Sequence, residues 1–141
     1  MLNDGLKLTG KLKIAINGDT VQEIPNVVVS DGKDYVASRM KDATATAMSH
    51  MAIGTDSTAA SSSDTQLGTE AGRVSLTSTT VTNNEVEYVA TFGAGTGTGA
   101  ITEAGILNAA SGGTLLCRTV FSVVNKGASD SMTITWTVTV S

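Results

Sequence analysis

The sequence predicts an all-β fold: a two-sheet antiparallel sandwich, jelly-roll-like, with about eight strands and one short helix. Three observations predict it. The final stretch alternates Met132, Ile134, Trp136, Val138 and Val140 with Thr133, Thr135, Thr137 and Thr139, the period of a half-buried strand. Asn83-Asn84 stands as a two-residue turn between two such runs. Charged residues make up only 16% of the chain while Thr, Ser, Gly and Ala abound, a mix that suits strands and turns better than exposed helix. A length of 141 residues fits one domain, 1–141, with a less typical amino-terminal part over 1–50 and a strand-rich core over 51–141.

Taken in order, Leu6, Leu8, Leu12, Ile14 and Ile16 fall on even positions with Lys7, Lys11 and Lys13 between them, which predicts a strand with a bulge at Gly10. Asn17-Gly18-Asp19 is turn chemistry, and a second strand from Val21 through Val29 completes a hairpin. Pro25 has no amide to donate, so that strand belongs at an edge or breaks there. Asp31 to Lys41 predicts the helix, capped by Asp31, with Tyr35, Val36, Arg39 and Met40 on one side. Ala43 to Ala47 alternates Thr with Ala, and Met48 to Ile53 predicts a brief strand ending at Gly54. Thr55 to Asp64 has almost no bulky apolar residue and reads as a long surface loop. Asp64 to Gly68 suggests one helical turn.

Arg73 to Thr82 and Glu85 to Phe92 then form a hairpin, the latter with Val86, Tyr88, Ala90 and Phe92 on one face. Gly93 to Ala100 is too flexible for a strand, Ile101 to Ala109 resumes one, and Ser111-Gly112-Gly113 turns the chain into Thr114 to Val124. Asn125 to Asp130 is a loop before the last strand. This pattern leaves the strand order open, and an immunoglobulin-like sandwich fits it too.

Composition also bounds the chemistry. A net charge of −4 with scattered lysines and arginines, and few aromatic residues, argues against a nucleic-acid partner. Cys117 is the only cysteine, so no intrachain disulfide forms, in keeping with synthesis in a reducing cytoplasm. Neither a signal peptide at Met1 to Gly5 nor a membrane span is expected. His50 is the single histidine and reads as structural. Cys117 sits between apolar neighbours with Arg118 on the opposite strand face, which gives a small hydrophobe rather than an activated thiolate. Gly95-x-Gly97-x-x-Ala100 loosely matches a dinucleotide fingerprint, but strands rather than a helix surround it. Glu85 and Glu87 share a solvent face without a third metal ligand. No catalytic, cofactor-binding or metal-binding residue is therefore assigned, and no cofactor. A hydrolase would first implicate His50, Glu103 and Cys117.

A set of phrases runs through the chain, beginning with Ile53-Gly54-Thr55-Asp56, Thr65-Gln66-Leu67-Gly68-Thr69-Glu70 with Arg73, and Ala90-Thr91-Phe92. It continues in Ile101-Thr102-Glu103-Ala104-Gly105-Ile106-Leu107-Asn108-Ala109, Arg118-Thr119-Val120-Phe121, Asn125-Lys126 and Thr133-Ile134-Thr135-Trp136. In these phrases the chain resembles a group of bacteriophage virion proteins described as head-decoration, cement or tail-fibre-associated. The resemblance implies a structural virion protein, not an enzyme, and brings no catalytic residues with it. Small size favours a cement protein on the capsid exterior that clamps subunits of the major capsid protein and associates with itself, as a homodimer or else a trimer. Residues 1–50 match less well and would then carry the attachment to a shell. The alternative is a tail-fibre or baseplate adhesion module binding a host surface receptor, with Thr55–Asp64 and Gly93–Ala100 as binding rims.

Overall fold

Period-two alternation builds the first sheet. In the computed structural model, which describes residues 5–41 and 45–141, β1 (Leu8–Ile16) and β2 (Asp19–Pro25) form the expected hairpin around Asn17 and Gly18, both at positive φ. β10 (Met132–Val140) pairs with β1 along its whole length and with β7 (Glu85–Phe92) on its other side, and β6 (Ser78–Thr82) closes the sheet in the order β2-β1-β10-β7-β6. The second sheet runs β3-β9-β8-β4-β5, made of β3 (Val27–Val28), β4 (His50–Gly54), β5 (Glu70–Ser75), β8 (Gly99–Leu107) and β9 (Leu115–Lys126). Every pairing is antiparallel, and the chain passes between the sheets after β2, β5, β7 and β9. The predicted sandwich is thus present. β1 lies beside the central β10, so the amino-terminal hairpin is part of the sheet rather than an appendage.

Ten strands occur among the described residues where the alternation suggests about eight, and two breaks account for the difference. The predicted Val21–Val29 strand divides at Asn26: Pro25 ends an edge strand of one sheet, and Val27–Val28 joins the other sheet against Arg118 and Cys117. The predicted Arg73–Thr82 strand divides at Leu76 and Thr77, with β5 in one sheet and β6 in the other. Gly10 carries no bulge. The β1–β2 register shifts between Ile14 and Ala15 instead, and Gly10 is required because a Cβ there would fall on the Asn26 side chain.

The main core lies between the sheets. It contains Leu12, Ile14, Met51, Ile53, Tyr88, Phe92, Ile101, Ile106, Phe121, Ile134 and Trp136. Alternation places Tyr88, Phe92 and Trp136 there as expected. The helix α1 (Ser30–Lys41) starts one residue before the predicted bound, and the Val29 carbonyl accepts its first hydrogen bond from Lys33 N. Asp31 therefore sits in the first turn rather than at the cap, where its charge still favours the helix amino terminus. Tyr35 and Val36 pack on the core, whereas Met40 is 78% exposed.

Residues 55–69 form neither strand nor helix, and the predicted helical turn at Asp64–Gly68 is absent. The segment lies across the outer face of the second sheet, where Leu67 packs with Val29, Ala52, Leu107 and Leu115 in a separate cluster. That cover explains why β8 is buried on both faces from Ile101 to Leu107. Among the described residues no helix is long and apolar enough to cross a membrane. The amino terminus before Gly5 and part of the Ala43–Ala47 alternation lie outside the described residues.

Candidate functional site

On the outer face of the second sheet β8 and β9 bring together two charges, Glu103 and Arg118, both essentially excluded from solvent. Both oxygens of the Glu103 carboxylate are saturated. Oε1 accepts from Gly68 N at 2.8 Å and Arg118 Nε at 3.1 Å; Oε2 accepts from Thr69 N at 2.8 Å and Asp56 N at 3.0 Å. The guanidinium continues outward, donating to Asp64 Oδ2 at 2.9 Å and to Asp56 Oδ2 and the Thr58 carbonyl at 3.2 Å. Thr102 Oγ1 donates to the Asp56 carbonyl at 2.9 Å. A segment too poor in apolar residues to order itself is held by charge-assisted hydrogen bonds, each stronger than a neutral one. Sequence reasoning missed this: it treats Thr55–Asp64 as a solvated loop and Glu103 only as a conceivable hydrolase residue.

Asp56 also accepts from Thr58 N and Oγ1, and these bonds, with Arg118 beside it, hold its carboxyl below the usual aspartate range. A lowered folded value means that the group's contribution is present above the unfolded value near pH 4 and is lost as pH falls through the folded one. Protection factors of amides in residues 55–69 should therefore fall below about pH 4, ahead of those in β10. Simultaneous loss of protection in both segments would contradict it. At one end of the sandwich Asp130 is held low in the same way, by Gly127 N first and then Asn17 Nδ2.

The other chemically capable side chains are dispersed. His50 has Ser75 Oγ at 3.4 Å from Nε2 and Ser49 Oγ at 2.7 Å from Nδ1, so a second hydroxyl stands where a base in a serine triad would be oriented by a carboxylate. Cys117 is fully buried in the main core, and burial pushes its thiol pKa up, the reverse of activation. Gly95 and Gly97 hold positive φ, and the strand β8, not a helix, follows them. This glycine tract is fastened: buried Lys126 donates from Nζ to the Gly93 carbonyl at 2.8 Å, and a Cβ on Gly97 would collide with Ile53. Glu85 and Glu87 are exposed on the outer face of the first sheet. Among the described residues no group of three or more His, Cys, Asp or Glu is placed to hold a metal ion.

Two surfaces stand out instead. An apolar groove of about 700 Å³ lies between α1 and the adjoining ends of β1 and β10, lined by Leu6, Leu8, Val36, Met40 and Val140, with Lys7 and Lys33 at its rim. Leu6 is 75% exposed there. The second surface is the outer face of the β2-β1-β10-β7-β6 sheet, where the threonines of β10 stand between lysines of β1 and glutamates of β7. No family model, curated protein or solved structure matches this chain.

Proposed function

We propose that this chain is a structural virion protein that sits on the exterior of a phage capsid and bridges neighbouring subunits of the major capsid protein. The observation that carries the reading is the apolar groove between α1 and the β1 and β10 ends. It exposes large side chains at Leu6 and Met40 that a solvated surface does not need, on the amino-terminal part of the chain. Two further features fit. The buried charges Glu103 and Arg118 are consumed in fastening a segment, and the His50 ring meets hydroxyls rather than a carboxylate. A shell offers the same contact many times, so a small apolar anchor at each site suffices once several are engaged.

Four of the seven phrases that resemble phage virion proteins meet at the fastening cluster, through Asp56, Gly68, Thr69, Glu103 and Arg118. The resemblance thus speaks for a shared scaffold, while the groove is built largely from residues 6–40, outside it.

Cryo-electron microscopy of purified virions tests the role: extra density on the head exterior that fits the sandwich is expected, and its absence from the head overturns the reading. The groove has its own test. Leu6→Asp with Met40→Asp should lower occupancy on undecorated capsids at least about tenfold, equivalent to roughly 1.4 kcal/mol of binding. Both residues are exposed, so the melting temperature should barely move. Unchanged occupancy would remove the groove from the contact.

A further inference from the structure

We infer that the outer face of the first sheet is a self-pairing surface through which two copies of this chain form a two-fold dimer. The inference is independent of any capsid role. Register fixes the argument. Across the sheet Lys11 stands opposite Thr137, and Thr137 opposite Glu87; one row on, Thr9 stands opposite Thr139, and Thr139 opposite Glu85. Lys11, Lys13, Thr135 and Thr137 line one depression together with Glu23 of β2, which stands opposite Lys13. The three central strands are therefore polarised, with lysines on β1, glutamates on β7 and a column of threonines on β10 between them, while Glu23 of β2 flanks Lys13 and leaves Lys11 as the lysine in row with a glutamate of β7.

Lys11 and Glu87 are two strands apart, about 10 Å, and among the described residues they form no ion pair within one molecule. Among the described residues no ion pair or side-chain hydrogen bond engages Lys11, Glu85 or Glu87.

A two-fold axis lying in the interface along β10 turns this pattern onto itself. It carries β1 of one copy over β7 of the other, so each Lys11 meets the other copy's Glu87 and the threonine columns face one another. A rotation preserves the row, so both ion pairs form at once. An interface in which the same patch serves both partners is what a two-fold dimer requires. Two twisted sheets stack within about 30° of alignment, which keeps the central rows in contact. The area suffices for a modest dimer: five strands of about eight residues give a face of roughly 600 Å², against about 800 Å² per partner in standard interfaces.

Charge reversal tests both the face and the symmetry. Sedimentation equilibrium of the wild-type chain at about 100 μM should show a dimer that weakens with salt. Lys11→Glu and Glu87→Lys should each weaken dimerisation at least about tenfold, because each places two like-charged pairs across the axis. Mixing the two variants in equal amounts should restore association as a heterodimer, and K11E/E87K should restore the homodimer. Circular-dichroism melting of each variant establishes that it is folded, as expected for exposed positions. A monomeric wild type, a trimer, single variants that dimerise as well as wild type, or a mixture that stays monomeric would each overturn the inference.

Discussion

Glu103→Ala should destabilise the protein by about 3–5 kcal/mol in chemical denaturation, the cost of stripping one partner from a buried ion pair. The loss has two parts. Arg118, 2% exposed, keeps its charge with only Asp56 and Asp64 at its outer edge, and three backbone amides, Asp56, Gly68 and Thr69, lose their acceptor. Each unsatisfied buried donor costs about 1–3 kcal/mol, although water reaching a loosened segment recovers part of that. Arg118→Met should cost less, since Glu103 would retain all three amide donors. The order of the two variants is thus diagnostic. Limited proteolysis should cut between residues 55 and 69 in Glu103→Ala while the sandwich survives. A loss below about 1 kcal/mol would show that the segment is held mainly by Leu67, and an arginine variant worse than the glutamate variant would show that the Arg118 bonds to Asp56, Thr58 and Asp64 hold it more than the Glu103 bonds do.

The contrast between legible and illegible parts of this fold follows from what each depends on. β10 and β7 have one face in the core and one in solvent, so their alternation is complete in the chain itself, and the positive φ at Asn83 matches its turn. β8 is buried on both faces, and the pattern loses its alternation there: Glu103 is hidden as fully as Ile101 and Ile106, and Thr102 is buried too. What hides Glu103 is the segment around Asp56 and Gly68, 47 and 35 residues earlier, and it contributes backbone amides, which have no signature in residue type. Composition reads that segment correctly as unable to order itself and misses that a buried carboxylate orders it.

The crossing at Leu76-Thr77 is illegible for a related reason. The Thr-rich run from β5 into β6 contains no glycine or proline between Ser75 and Ser78, so nothing local marks where the chain leaves one sheet for the other. At Pro25 the missing donor does mark the crossing, and there the expected break occurs.

Trp136→Ala should cost about 3–5 kcal/mol, as removal of a large buried aromatic side chain does. Trp136 is fully buried at the centre of β10, opposite Leu12 on one side and Tyr88 on the other, so neither sheet neighbour can collapse into the space without leaving the ladder. A polar effect adds to the cavity. The indole Nε1 donates to Asn26 Oδ1 at 3.1 Å, tying the central strand to the crossing between the two sheets. Asn26 Nδ2 is already buried without a partner, so losing the indole leaves both ends of that amide unsatisfied. Gly10 exists to admit this side chain, because any Cβ there would displace it. Trp136→Phe separates the two contributions: it keeps most of the bulk and orphans the same oxygen, and should cost about 1–3 kcal/mol. Equal losses for the two variants would assign the effect to the hydrogen bond. A loss below about 1 kcal/mol for Trp136→Ala would mean that the face between the sheets is not the core.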